Sequence, residues 1–195
     1  DMKFHQGVSL VMKSFLFGQI TDLWGDAPYS NALNGDLEGD EYNTPEYDSQ
    51  EVIYNGILAD LREANNLLSE PGEVFPETET ADVIYNGDPE QWRKFANSLR
   101  LRYLMRVSEK MDVEHEFVNI VQNEPIFAGN EDNALMNFPG SNATSAWPKN
   151  TVYDGTDGSD FRRIRPAETL VEALREKNDP RIGIWFAEVE IPTEF

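Results

Sequence analysis

The run His115-Glu116-Phe117-Val118-Asn119 sets an imidazole, a carboxylate and an amide within five residues, close in form to the H-E-x-x-H helix of zinc peptidases. A catalytic zinc needs three protein ligands, and that motif supplies two of them as histidines four residues apart. Here Asn119 stands in place of the second histidine, and the only other one is His5. An amide does not substitute for a neutral imidazole at zinc, so peptidase chemistry is not expected. Neither G-x-S-x-G, a P-loop nor G-x-G-x-x-G occurs, which leaves serine-hydrolase and nucleotide chemistry without an anchor. Glycoside hydrolysis needs only two carboxylates at a set separation. With 36 acidic residues the chain neither identifies nor excludes such a pair.

Two acidic runs offer the hard oxygen donors that calcium takes. Asp154, Asp157 and Asp160 recur at every third position among glycines, and Asp36, Glu38 and Asp40 alternate. Neither follows EF-hand spacing. Asp154, Asp157 and Asp160 are therefore a candidate calcium site, set against the commoner case of solvated acidic turns; no cofactor is required. The same region also suits sugars, which stack on aromatic faces while planar polar groups bond their hydroxyls. Trp147, Tyr153 and Phe161 lie there among Asn142, Asn150 and Asp154, and Trp147, Tyr153, Asn150 and Asp154 are the candidate ligand residues. The competing expectation is that Trp147 and Phe161 pin a long loop onto the helices. A third cluster is basic: Arg93, Lys94, Arg100, Arg102 and Arg106. Spread around a helix rather than along one face, they are expected to pair with neighbouring carboxylates.

These residues need a scaffold, and the periodicity predicts one that is mainly α. A first helix covers about Gln6 to Trp24, with Val8, Val11, Met12, Phe15, Ile20 and Leu23 near helical spacing. Gly18 within it costs about 1 kcal/mol against Ala, for which a closely packed neighbour is the expected reason. A second helix starts at Asp48, with Glu51 completing a capping box, and carries the stripe Ile53, Ile57, Leu61, Ala64, Leu68. Asp88 caps a third, opened by Pro89 and running to about Met111; Trp92, Ala96, Leu99 and Tyr103 should face the first helix. Asp112 caps a fourth, ending near Gln122, with Phe117, Val118 and Val121 inward, and Pro166 opens a fifth with Leu170, Val171 and Leu174. Gly25 to Tyr47 and Asn123 to Arg165 read as long irregular loops, and Ile184 to Ile191 as a strand. The expected organisation is one unit: a helical scaffold over 1–124, an irregular loop region over 125–165, and a helix followed by a strand over 166–195.

Composition limits the partners. The 195 residues carry 36 acids and 16 bases, a formal net charge of -20, so binding to nucleic acid or anionic lipid is excluded on electrostatic grounds. Aromatics at 11% are too many for a disordered acidic tail. There is no cysteine, hence no disulfide and no thiolate chemistry. No apolar run reaches the roughly 18–20 residues of a spanning helix. The chain opens on Asp1 without a signal peptide and is expected to be part of a longer protein.

Three segments, in this order, resemble the SusD/RagB family. They are Thr21-Asp22-Leu23-Trp24-Gly25-Asp26-Ala27-Pro28-Tyr29; Tyr85-Asn86-Gly87-Asp88 with Trp92-Arg93-Lys94-Phe95-Ala96-Asn97-Ser98-Leu99-Arg100-Leu101-Arg102; and Phe161-Arg162 with Leu170 to Arg181, ending Asn178-Asp179-Pro180-Arg181. Their own chemistry is that of helix ends: Gly25 can take a left-handed conformation after Trp24, and Pro28 and Pro180 stop continuation. The resemblance implies tetratricopeptide-like helical hairpins with long loops and little β, although no 34-residue repeat recurs cleanly. It also implies a non-enzymatic outer-membrane lipoprotein that binds oligosaccharides at the cell surface. Its partner would be a SusC-like TonB-dependent transporter, and its membrane contact a lipid anchor absent from this piece. A peptide-binding member of the same family, a helical protein–protein adaptor and a glycosidase are the alternatives.

Overall fold

The computed structural model describes residues 2–37, 39–138 and 166–186. The described residues are helical apart from turns and one isolated antiparallel bridge between Ala27 and Asp48. Two compact units divide the chain, Asp1–Asn137 and Phe138–Phe195.

In the first unit α1 (Met2–Trp24) and α3 (Gln50–Ser69) form an antiparallel hairpin. Its connection contains the one-turn α2 (Asp40–Asn43) and is closed by the Ala27–Asp48 bridge. The short α4 (Pro76–Ala81) leads to α5 (Pro89–Val107), which packs antiparallel on α3. Then α6 (Glu114–Asn123) and a 3-10 turn at Asn130–Asp132 pack against α5. Two faces of α3 are apolar, which suits a central helix: Ile53, Ile57, Leu61, Ala64 and Leu68 are all buried, and so are Tyr54 and Leu58. The third helix was expected to face the first, yet α5 lies mainly on α3 and meets α1 along a narrower seam. Phe15 and Phe95 touch there, with ring centroids 6.2 Å apart.

That seam explains Gly18. A Cβ built on Gly18 would fall inside the contact radius of the Tyr103 hydroxyl and 2.6 Å from its Cζ. The hydroxyl donates a long 3.4 Å hydrogen bond to the carbonyl of Ser14. The glycine is thus the room that a tyrosine on α5 takes up on α1.

Several boundaries differ from the sequence expectation. Ser49, not Asp48, caps α3, its hydroxyl accepting from Val52 N at 3.4 Å; the Asp48 carboxylate is committed elsewhere, as described below. The third helix ends at Val107, four residues before Met111. The cap residue of α6 is Val113, although the Asp112 carboxylate still accepts from Glu114 N at 3.3 Å. Val118 and Val121 of α6 point to solvent, because Ile120, with Phe117, marks the inner face. Leu23, expected inside, is exposed at the end of α1.

In the second unit α7 (Glu168–Glu176) starts two residues after Pro166 and is followed by α8 (Ile182–Trp185). Ile184 and Trp185 are therefore helical, which corrects the start of the expected strand; residues 187–191 lie outside the described set. Asn178 takes a left-handed φ of 49° while Asp179 N reaches back to Leu174 O at 2.9 Å, a Schellman-type ending. Asp179 then accepts from the Arg181 backbone and guanidinium, which hold its carboxyl down at about 2. Arg181 also lies over the Trp185 ring, 4.7 Å from its centroid. The Asn178-Asp179-Pro180-Arg181 run is thus a helix stop in fact as well as in pattern.

Gly18→Ala separates two opposed effects. Helix propensity alone would stabilise the protein by about 1 kcal/mol, whereas overpacking against Tyr103 costs about 1–3 kcal/mol. Urea unfolding should show net destabilisation. Adding Tyr103→Phe should recover part of the loss, since Cζ still crowds the new methyl.

Candidate functional site

The Thr21–Tyr29 segment converges on α3. Asp22 accepts from Tyr54 and from Arg106, which ties the end of α1 to α3 and α5 at once. Gly25 takes a left-handed φ of 76°. Asp26 accepts from Gln50 N at 2.9 Å, and Gln50 Nε2 donates to Thr21 O at 2.7 Å. Asp48 receives Tyr29 N, Ser30 N and the Ser30 hydroxyl, the nearest at 2.7 Å, and these bonds keep its carboxyl ionised below the usual carboxylate range. Tyr29 sits edge-on to Phe17 at 4.9 Å and donates to Asp60 at 2.9 Å. Every polar member of this segment is used in closing the hairpin.

The Tyr85–Asp88 run is organised by a residue that sequence reasoning missed, Asp82. Its carboxylate accepts from Ile84 N, Tyr85 N, Gly87 N and the Trp92 indole, the last at 2.7 Å. Burial alone would raise its pKa, but these four donors prevail and the group lies below its ordinary value. Asn86 and Gly87 both have positive φ, 52° and 77°, and a Cβ on Gly87 would stand 3.0 Å from the Glu79 backbone. Asp88 then caps α5 through Glu90 N and Gln91 N, as expected. The signal for Asp82 was an acid two residues before Ile84, an Asx-turn spacing.

Among the described residues, four of the five α5 cations have carboxylate partners. Arg93 reaches Glu90 and Glu124, Lys94 reaches Asp132 at 2.7 Å, Arg100 reaches Glu116 at 2.7 Å, and Arg106 reaches Asp22; Arg102 is exposed. Asp132 also accepts from Ala128 N at 2.8 Å. That bond first and the Lys94 bond second pull its carboxyl down to about 2. Its backbone carbonyl takes the Tyr85 hydroxyl at 2.8 Å, and burial with nearby Asp132 and Asp82 pushes that phenol up to about 12.

Glu116, the carboxylate of the near-zinc motif, is held by Arg100 and Arg62. Burial opposes its ionisation, but the two guanidiniums win and its pKa is lowered. A carboxylate committed in this way does not serve as a general base. Among the described residues no group of three or more His, Cys, Asp or Glu side chains is placed to hold a metal.

Beside this pair lies an open polar cleft of about 390 Å³ on α3, α5 and α6, formed by Arg62, Asn65, Arg100, Glu116, Asn119 and Glu124 among others. It adjoins a second hollow of about 440 Å³ over α6, and His115 and Asn119 line both. The expected ligand residues Trp147, Asn150, Tyr153 and Asp154, and the calcium candidates Asp154, Asp157 and Asp160, lie outside the described residues; so do Phe161 and Arg162. Among the aromatic rings that sequence reasoning did not select, Trp24 at 71% and Tyr47 at 74% are the most open to solvent of the described residues. Both sit at the end of the α1–α3 hairpin closed by the Ala27–Asp48 bridge.

A helical hairpin with these motif contacts has a counterpart among known proteins. The family model described as "Starch-binding associating with outer membrane" matches residues 2–193. The chain belongs to the SusD-like family. Its helical layer overlays solved SusD-like structures. An outer-membrane protein of Bacteroides vulgatus associated with nutrient binding is 32% identical, with a TM-score of 0.73 over 92% of this chain and 38% of its own. A SusD homolog of Bacteroides fragilis is 29% identical, with a TM-score of 0.67 over 92% and 37% of the two chains. A chitin-binding SusD homolog of Flavobacterium johnsoniae is 26% identical, with a TM-score of 0.67 over 97% and 38%. The chain thus spans under two fifths of the length of these SusD-like relatives. No curated protein sequence matches it.

Two measurements test the ties of this SusD-like unit. Glu116→Ala strands Arg100, whose side chain is only 5% exposed, and should cost about 3–5 kcal/mol in urea unfolding. Asp132, Asp82, Asp48 and Glu116 all titrate below their ordinary values. A depressed acid contributes stability above its unfolded pKa and loses it as pH falls through the folded one. Stability should therefore be level between pH 5 and 7 and fall from about pH 4 toward 2. Asp132→Asn should make that fall shallower.

Proposed function

We propose that this chain is part of a non-enzymatic SusD-like protein that captures oligosaccharides at the cell surface and passes them to a SusC-like TonB-dependent transporter. The observation that carries this reading is the family match over residues 2–193. A chitin-binding SusD homolog of matching fold supports a glycan as the ligand class. In this reading residues 1–124 are the scaffold, 125–165 the loop region that carries the ligand residues, and 166–195 the continuation of the same SusD-like domain. A lipid anchor in the longer protein holds it to the outer membrane.

Absence of catalysis is part of the proposal. The polar groups of the Thr21–Tyr29 and Tyr85–Asp88 segments are used in turns and ion pairs, and Glu116 is fixed by two arginines. A general acid or base needs a proton it can exchange near neutral pH, and these carboxylates are held ionised instead.

A glycan array probed with the full-length protein tests the ligand class; selective retention of peptides over glycans would replace it with the peptide-binding alternative. Trp147→Ala tests the loop. Ring stacking is worth about 1–3 kcal/mol by the scale of base–aromatic contacts. A sugar at the low end of that range gives about tenfold weaker binding with an unchanged melting temperature. A ring that pins the loop would instead cost about 3–5 kcal/mol of stability, and a large drop in melting temperature would remove Trp147 from the ligand site.

A further inference from the structure

The cleft on α3, α5 and α6 has donors left over. The Asn65 side chain is 4% exposed. Its Oδ1 accepts from Asn97 Nδ2 at 2.9 Å and from Arg93 Nε at 3.3 Å, which fixes the orientation of the amide. Its NH2 group has no hydrogen-bond partner among the described residues, yet the side chain lines the cleft. Asn119 repeats the arrangement from α6: its Oδ1 takes Asn123 Nδ2 at 2.9 Å, and its NH2 group is left over. Two amides on different helices are thus held by their oxygens with their donors unused. Asn119 is exposed and the Asn65 donor is not among the buried unpartnered atoms, so both are open to water. A hydroxyl or carbonyl oxygen entering the cleft would take the place of that water.

The charges of the cleft cancel locally. Arg62 and Arg100 share Glu116, and Glu124 is paired with Arg93. Among the described residues no Trp, Tyr or Phe ring lines it. A neutral, hydroxyl-bearing molecule fits this better than an anion, given the net charge of -20. A volume of about 390 Å³, with a further 440 Å³ adjoining at His115 and Asn119, allows one ring to sit in the cleft and a second beside it.

We infer that this cleft is a saccharide subsite, separate from the Trp147 loop, in which the amides of Asn65 and Asn119 donate to the oxygens of one neutral sugar ring. The inference rests on the glycan-capture reading for its ligand class. Binding here is by hydrogen bonds without stacking, so it is weaker than at an aromatic platform.

Saturation-transfer NMR on the full-length protein with glucose, N-acetylglucosamine and glucuronate tests it. The two neutral sugars should bind and glucuronate should bind more weakly. Asn119→Asp keeps the oxygen that accepts from Asn123 and replaces the donor with a second, negatively charged acceptor oxygen. It should weaken the neutral sugars about tenfold with the melting temperature unchanged, since Asn119 is exposed. Asn65→Asp places a carboxylate at a buried position and is read for sugar affinity alone. Wild-type affinity in both variants, or no monosaccharide binding by the parent protein, would overturn the subsite. Loss of neutral sugars in these variants with long-glycan capture on the array retained supports it. An array without glycan binding, alongside monosaccharide binding that Asn119→Asp abolishes, would sink the capture reading and leave the cleft standing.

Discussion

Arg100 carries its charge into a place that water scarcely reaches, and much of the helical unit is arranged around that fact. A buried guanidinium must be paired and hydrogen-bonded or it unfolds its surroundings. Glu116 comes from α6 to neutralise it, Asn97 from one turn earlier accepts a second bond, and Arg62 from α3 donates to both oxygens of the same carboxylate. Asn97 in turn bonds Asn65 and the Pro125 carbonyl. One buried ion thereby fixes the register of α3, α5 and α6 and the start of the chain that follows. Apolar contacts hold these helices together, but they are non-directional. The polar thread selects one alignment among the many that such contacts allow.

A chain with a net charge of -20 repels itself, and the distribution of its few cations limits that strain. Four of the α5 cations meet carboxylates from α1, α6 and the 3-10 turn, in addition to Glu90 on the same helix. Asp22, Asp82 and Asp132 act as nodes: Asp22 takes Tyr54 and Arg106 from distant helices, Asp132 takes Lys94 and the nearby Ala128 N, and Asp82 gathers four donors from the ten residues after it. The first two segments that mark the family supply one of these nodes, Asp22, and partners of the other two, Tyr85, Trp92 and Lys94. Their role is to close turns and lock helices, which is why the proposed ligand contacts are sought elsewhere, in the amides beside Arg100 and in the loop that carries Trp147.

Helix positions were largely legible in the sequence because caps and apolar stripes are local signals. Asp88 with Pro89, the stripe from Ile53 to Leu68, and the stop at Asn178-Asp179 all read directly. The errors fell where a local signal was diverted. Asp48 has the spacing of a capping residue, but its carboxylate is drawn to Ser30 and Tyr29 and Ser49 caps instead. Leu23 and Val118 have the right type and roughly the right spacing, yet their helices bury neighbouring faces. The candidate site was less legible, since the cleft joins residues more than fifty positions apart whose individual types, Asn and Arg, are common on any surface.

By itself, the sequence determined that the protein is mainly helical, strongly acidic, free of cysteine chemistry and marked by the three SusD-like segments. Those properties follow from composition and from interactions spanning a few residues. Tertiary structure alone decided that α5 leans on α3 rather than α1, that Gly18 makes room for Tyr103, and that Glu116 is spent on two arginines. It alone also decided which amide donors remain unpaired. Such outcomes depend on which helix faces meet, and that choice is made by packing volume and by the pairing of buried charge across distant segments.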